Sequence, residues 1–557
     1  MTLLKLSGGR IVDPANRRNG EIGDLYVNDG RMVAAPPAGT RVDRTIDLAG
    51  RIVMAGGIDI HSHIGGGKVN LARTLMLEDH RDHGHARTEL TRGGGGRATP
   101  STFVAGYRYA EMGYTAAFEP AMVAANARHT HAELADTPMI DKGCYVMLGN
   151  EDALLRMLAA NAEQAAINDY VGWMLQASQA LAVKAVNPGG INAFKFNTRE
   201  LGFESPGPHY GVTPRKIVAS LARAVRDLGL AHPLHLHCNN LGVPGNLETT
   251  LQTIAATEGV PLHLTHVQFH SYGTEGDRKF SSGAAQIAAA VNRNPHISID
   301  VGQIMFGQTV TASGDTMMQY RNRGFARPNK WVCMDIECQG GCGLVPFRYR
   351  DRNFVNALQW AIGLELFLLV EDPWRIFLTT DHPNGAPFTT YPHLIRLLMD
   401  RSFRKDMLAT ISKAAAAASV LASIDREYSL YEIAILTRAA PARILGLADR
   451  GHLGPGAAAD IAVYSEQADK EAMFSRPHLV FKDGRLVVRD GAIVDVAWGA
   501  THVARPDFDR GIERSLRDYF EQFQTIRLEN FAVGDGEIED RNLGRLIRHA
   551  GNGSQPR

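Results

Sequence analysis

Cysteine is scarce, with five in 557 residues. That number cannot build a disulfide framework for so long a chain, and a reducing compartment such as the cytoplasm suits it better. An excess of charge of one sign is also missing. Lys plus Arg and Asp plus Glu stand at 59 each, so nothing draws the chain to nucleic acid or an anionic membrane. No hydrophobic run is long enough to span a bilayer. Met1 to Leu6 lacks the basic start and long apolar stretch of a signal peptide. Lysine is rare among the basic residues, 12 against 47 arginines, which with abundant Ala and Gly reflects a GC-rich bacterial coding sequence rather than function.

What remains is an ordinary globular composition, 45% hydrophobic and 21% charged, too long for one compact core. Residues 1–55 read as short strands and turns, with Asn28-Asp29-Gly30-Arg31 as a hairpin signal. Residues 450–500 have the same character around Asp460 to Tyr464, Leu479 to Val487 and Gly491 to Val494. Both ends are therefore expected to build one small composite β-sandwich, with residues 56–449 inserted between its halves. The insert alternates apolar strands with amphipathic helices, the pattern of an α/β fold with a parallel barrel. Eight strands are expected: Gly57–His61, Thr115–Glu119, Tyr145–Leu148, Ala182–Val186, Pro233–His237, Leu262–Val267, Ile297–Val301 and Ile376–Thr380. That number makes a TIM (β/α)8 barrel. Thr213-Pro214 marks a helix start, as N-cap and first helical residue. Residues 501–557 are polar and charged and are expected to be a C-terminal extension, either a tail or a subunit contact.

The chemistry lies at strand ends. In Gly57-Ile58-Asp59-Ile60-His61-Ser62-His63, two histidines at i, i+2 share one face of a strand. A bare His-x-His is equally a pair of surface residues, but three later strands end in matching groups. His237 closes Pro233-Leu234-His235-Leu236-His237, His266 follows Leu262-His263-Leu264-Thr265, and Asp381 follows Ile376-Phe377-Leu378-Thr379-Thr380. Four imidazoles and a carboxylate at one barrel mouth can encircle two divalent ions. Zinc suits this donor set best, and Mn, Fe, Co or Ni are chemically open.

This ordered set resembles the amidohydrolase superfamily, in particular its dihydropyrimidinase-like and formylmethanofuran-dehydrogenase branches. The resemblance extends over roughly residues 1–500. It includes Gly8-Gly9-Arg10-Ile11-Val12-Asp13-Pro14 and Leu48-Ala49-Gly50-Arg51 ahead of the histidine pair, and Leu436-Thr437-Arg438-Ala439-Ala440-Pro441 and Gly451 to Ile461 at the far end. It implies a lysine carboxylated by CO₂ that bridges the two metals, since a carbamate, unlike an ammonium, is attracted by two dications. Lys184 is preferred for this role over Lys195, because Lys184 directly follows a helix-like segment and Asn187-Pro188-Gly189-Gly190 then forms the loop after its strand.

The loops around Lys184 to Gly190, Glu275 to Gly283 and Thr380 to Phe388 are similar to those of the alpha subunits of formylmethanofuran dehydrogenase and of the related bacterial formyltransferase/hydrolase complex. That similarity implies N-formylmethanofuran or a methylofuran variant as formyl-carrier substrate, formate and free amine as products, and the other subunits of such a complex as partners. Asp381 would ligate a metal, take a proton from water and deliver it to the leaving amine. Arg278 and Lys279 are candidates for holding formate or a polyglutamate tail, or are simply solvated. Asn187 and Asn239 are candidates to bind or orient the carrier. Two other classes stay open: a free-standing cyclic-amide hydrolase of the dihydropyrimidinase type, and a scaffold protein without chemistry. Cys333, Cys338 and Cys342 match no standard zinc spacing and are read as structural.

Overall fold

The computed structural model describes residues 3–195, 198, 201–313, 332–334, 342–539 and 545–551. Strands from both chain ends share one nine-stranded sheet. Leu3–Asp13 runs antiparallel to Arg18–Asn28 and parallel to Arg51–Ala55. Arg51–Ala55 pairs in turn with Ile461–Ser465, which leads through Leu479–Lys482 to Arg485–Arg489. The sheet curls on itself around Leu6, Val27, Val53, Ile461 and Phe481, giving the layered packing expected of a sandwich. Its two hairpin tips meet at Gly30. That residue has φ +77°, and a Cβ there would lie 2.8 Å from the Asp483 carbonyl oxygen, so a side chain is excluded.

The eight barrel strands are Gly57–Asp59, Tyr114–Ala117, Cys144–Leu148, Ala182–Val186, Leu234–His237, Leu262–Leu264, Ile297–Asp300 and Ile376–Phe377. The first pairs with the second in parallel. The second continues as Glu119–Met122, which pairs with the third, and strands three to eight follow in order. A parallel bridge between Ser62 and His382 closes the ring. Every strand lies where the apolar runs placed it, but several stop short of the expected end. The sixth stops at Leu264 and the eighth at Phe377. The functional residues beyond them leave the ladder, with His266 at φ 36° and Asp381 at φ 51°. Such left-handed backbone is uncommon outside glycine and turns both side chains out of the strand direction.

The helix expected at Thr213 runs Pro214–Asp227, with the Thr213 side chain accepting from the Lys216 N–H, a cap typically worth about 1 kcal/mol. Its apolar stripe (Ile217, Val218, Leu221, Val225) is buried against the barrel. Between strands seven and eight the chain adds an antiparallel sheet of Gly307–Ser313, Val332–Met334 and Cys342–Tyr349. Cys333 and Cys342 belong to those strands, and Cys338 lies outside the described residues. After strand eight the C-terminal part packs on the barrel's own flank. Thr501–Arg505 pairs in parallel with Leu546–Ala550, and Phe520 and Phe531 face Trp173 of helix Gln164–Ser178. No described helix is long and apolar enough to cross a membrane.

A buried charge cluster joins barrel, sheet and C-terminal part. Asp141 receives Arg450 Nε at 2.6 Å, Lys482 Nζ at 3.0 Å and the Ala500 N–H at 2.7 Å, and Lys482 also reaches Asp460 at 2.8 Å. Burial by itself would raise the Asp141 pKa, but Lys482 and Arg450 outweigh it and hold the carboxyl well below its ordinary range. Removing one member of such a cluster strands the opposite charges in the interior. We expect Asp141→Asn to lower stability by roughly 3–5 kcal/mol, read from chemical denaturation. A depressed carboxyl stabilises above its unfolded pKa of about 3.9 and loses that contribution as pH falls below it. The acid limb of wild-type stability should therefore be steeper than that of Asp141→Asn, and parallel limbs would refute the assignment.

Candidate metal centre

Strand one delivers His61 and His63 to the barrel mouth. Asp59 fixes their start, accepting from the His61 N–H at 3.0 Å and from Tyr109 Oη at 2.7 Å. Strand four delivers Lys184, strand five His237, and the turns after strands six and eight His266 and Asp381. These six residues line one cavity together with Lys68, Leu344 and Asn384. The structure thus brings together every metal ligand expected from the sequence. Gly302, at the end of strand seven, makes the convergence possible. A Cβ there would sit 2.3 Å from the His266 Cβ.

Both histidines of the first strand aim Nε2 at one carboxylate oxygen. Asp381 Oδ1 lies 3.0 Å from His61 and 3.2 Å from His63, and it also accepts from Asn384 Nδ2 at 2.9 Å. The other face of each ring is already committed. His63 Nδ1 meets Glu119 Oε1 at 2.8 Å, and Glu119 is itself fixed by the Ile64 N–H at 2.8 Å. His61 Nδ1 meets Asp300 Oδ2 at 3.2 Å and His235 Nε2 at 2.9 Å. Asp300 is held by the His266 N–H at 2.8 Å and the Thr379 hydroxyl at 2.7 Å. With Nδ1–H donated to Glu119, a neutral His63 turns a lone pair toward Asp381. Two lone pairs face each other favourably only across a cation. The electrostatics agree. Burial would lower the His63 pKa, yet Glu119 and Asp381 raise it to about 9, so this point of the pocket calls for positive charge.

The remaining donors fit the same ion chemistry. Burial, with help from Lys184, keeps His237 well below its ordinary pKa, and burial does the same for His266. Both rings are therefore neutral, as metal ligands must be. His266 Nδ1 is buried with no hydrogen-bond partner, and two of the clusters whose donor atoms lie within 4.8 Å of one another are His61–His63–Asp381 and His237–His266–His270. The donor set and this unmet nitrogen suit divalent cations. Lys184 is buried, and that burial lowers its pKa to about 7. Its Nζ donates to Thr265 Oγ1 at 3.2 Å.

Other candidates lie elsewhere. Lys195 closes the short helix Gly190–Lys195 instead of lying on a strand, and its side chain is outside the described part. Asn187 and Asn239 bond each other, Nδ2 of Asn239 donating to Oδ1 of Asn187 at 2.8 Å. They lock the loops after strands four and five and are not among the described residues lining the cavity. Arg278 and Lys279 are exposed, with the Arg278 guanidinium stacked 4.3 Å over Phe354, and neither is among the described lining residues. Conversely, the sequence reading does not single out Glu119, Asp300 or His270. Glu119 and Asp300 end apolar stretches as Asp381 does, and His270 stands four residues after His266, signals that could flag all three.

A family model described as the amidohydrolase family matches residues 44–495. The A subunit of the formyltransferase/hydrolase complex Fhc of Methylorubrum extorquens is 44% identical over 547 residues, covering 97% of this chain and 98% of the relative. Protein FwdA of Methanocaldococcus jannaschii is 40% identical over 566 residues, covering 98% of each. A chain in the crystal structure of the FhcABCD complex from M. extorquens with methylofuran superposes with a TM-score of 0.92 at 43% identity, covering 98% of this chain and 100% of that one.

The carboxylate behind His63 gives a direct test. Glu119→Gln keeps the shape but weakens the acceptor that orients the ring, and zinc affinity in a chelator competition should fall about 10–100-fold. Unchanged affinity would show that Glu119 does not position the ligand.

Proposed function

The chain belongs to the amidohydrolase family, and we propose that it hydrolyses the formamide bond of N-formylmethanofuran, or of its methylofuran variant, to formate and the free amine. We place it in a formyltransferase/hydrolase complex with other subunits, because its likeness to the Fhc protein of M. extorquens runs over nearly the whole of both chains. In this reading His61, His63, His237, His266, Asp381 and a carboxylated Lys184 hold two divalent ions, zinc by preference. Bound there, the ions would lower the pKa of a water toward neutrality and polarise the formyl oxygen.

The protein's own groups do the rest. The observation that carries the proposal is Asp381 Oδ1 within 3.0 and 3.2 Å of two imidazole nitrogens on the cavity wall. A carboxylate there accepts the proton of the attacking water as the carbon–oxygen bond forms. It then returns that proton to the amine nitrogen as the carbon–nitrogen bond breaks. Asn384 holds Oδ1 in place. Lys184, kept near neutrality by burial, has the free amine lone pair that CO₂ addition requires, and the proton released goes to solvent. Neither direction of formyl transfer is favoured by this geometry, so the same groups serve formylation of the amine.

Asp381→Asn should reduce formate release from the formylated carrier by about 10²–10⁴-fold in the purified complex. Unchanged release would remove this chain from the chemistry, and turnover of hydantoin or dihydrouracil by the isolated chain would favour the cyclic-amide reading. Because Arg278 and Lys279 lie away from the cavity lining, replacing both with Ala should leave formate release unchanged. A large rise in KM would restore them as carrier-binding residues.

A further inference from the structure

We propose that His237, His266 and His270 form a three-imidazole site that holds one divalent cation without any contribution from Lys184, with His270 as a ligand. The proposal rests on the metal-centre reading above and goes beyond it by adding a ligand outside the strand-end set.

His270 ends the short 3-10 turn Val267–His270 that begins directly after His266. The turn is anchored from two sides. The Thr250 hydroxyl donates to the His270 carbonyl at 2.8 Å, and the Ser271 hydroxyl donates to the Val267 carbonyl at 2.8 Å. The ring is fully buried, and neither Nδ1 nor Nε2 has a hydrogen-bond partner. A neutral imidazole always carries one donor and one acceptor, and cores rarely leave both unmet. Its ring neighbours include two other imidazoles: His266 lies 5.3 Å away nearly parallel, and His237 lies 5.1 Å away at a steep angle. His266 Nδ1 is equally unpartnered. One nitrogen from each of the three rings falls within 4.8 Å of the others. Two ligands on one zinc stand at most about 4.2 Å apart at the usual 2.0–2.1 Å bond length, so a small ring rotation suffices.

No role in orienting its neighbours explains His270, since its nitrogens bond neither ring. A shape-filling role is served better by an apolar side chain of the same size. Ligation satisfies one of its nitrogens. Three neutral imidazoles with a further open position are a sufficient set for a hydrolytic zinc ion. One ion would then be held whether or not CO₂ has added to Lys184.

The test uses the purified full chain, with zinc as the probe. Zinc stoichiometry and affinity are measured by elemental analysis and chelator competition, and the melting temperature is recorded with and without zinc. Wild type should hold two equivalents, and Lys184→Ala with Asp381→Asn, which lacks both the bridge and the carboxylate of the other ion, one. Adding His270→Phe to that pair should leave none held tightly, zinc affinity falling at least 100-fold. His270→Phe alone should melt no lower than wild type when both are metal-free, because it removes two unmet polar atoms, and should gain less from added zinc. The proposal is overturned if the triple variant binds zinc as tightly as Lys184→Ala with Asp381→Asn, or if that pair binds none. A wild-type chain that binds no ion would instead bring down the metal-centre reading itself, and this site with it.

Discussion

The functional end of this molecule is organised by one electrostatic conflict: imidazole lone pairs and a carboxylate are pressed together in the barrel mouth. Asp381 cannot sit within 3.2 Å of two histidine nitrogens whose outer nitrogens are already engaged by Glu119 and Asp300 unless positive charge lies among them. A proton can supply it, as the raised His63 pKa of about 9 indicates. A divalent ion supplies it with more charge and more ligands. Water is the poorest solution, because every group involved except the partly exposed His63 is buried and the desolvation of charged groups is costly.

Holding that conflict in place demands a rigid support, and the rest of the fold provides it. Gly302 lets His266 approach where any side chain would displace it. The left-handed conformations of His266 and Asp381 are tolerated because neighbouring strands over-determine them. The Asp141 cluster does a different job. It ties sheet, barrel and C-terminal segment through buried charges that lie behind strand three instead of at the mouth. Such a cluster is weak evidence for net stability, and its better-attested use is to specify one arrangement of parts.

Much of this is legible in the sequence, for a physical reason. A parallel barrel strand is buried on both faces and reads as a short apolar run, so a His or Asp at its end stands out. His61, His63, His237, His266 and Asp381 all emerge this way, whereas Lys184 lies in mid-strand and is suggested by the family resemblance. Glu119 and Asp300 obey the same rule without standing out, because a single acid after an apolar run is common and their partners are distant in the chain. The departures have the opposite cause. Arg278 and Lys279 are suggested by charge alone, which does not say which side of a turn faces the cavity, and Arg278 instead lies over Phe354. Asn187 and Asn239 have the chemistry to bind a ligand, but here they satisfy each other. Strand ends carry a periodic signal, whereas side-chain pairing across loops carries none.

The carboxylates that the sequence does not flag also bear on why Lys184 should be carboxylated. Two dications would bring four positive charges into a cavity walled by neutral imidazoles. Asp381 offsets one of them. Asp300 and Glu119, one ring removed from the ions, offset two more through His61 and His63. Asp300 is available for this because His61 and His263 outweigh its burial and hold its pKa well below the usual range. One charge remains. An ammonium on Lys184 would add to the excess, and a neutral amine would leave it uncompensated in the interior. A carbamate on Lys184 would close the balance, on a cavity-lining amine whose pKa burial lowers to about 7. The same accounting explains why a third histidine, not another acid, can stand beside His237 and His266. A neutral ligand fills a coordination position without disturbing a charge balance that is already complete.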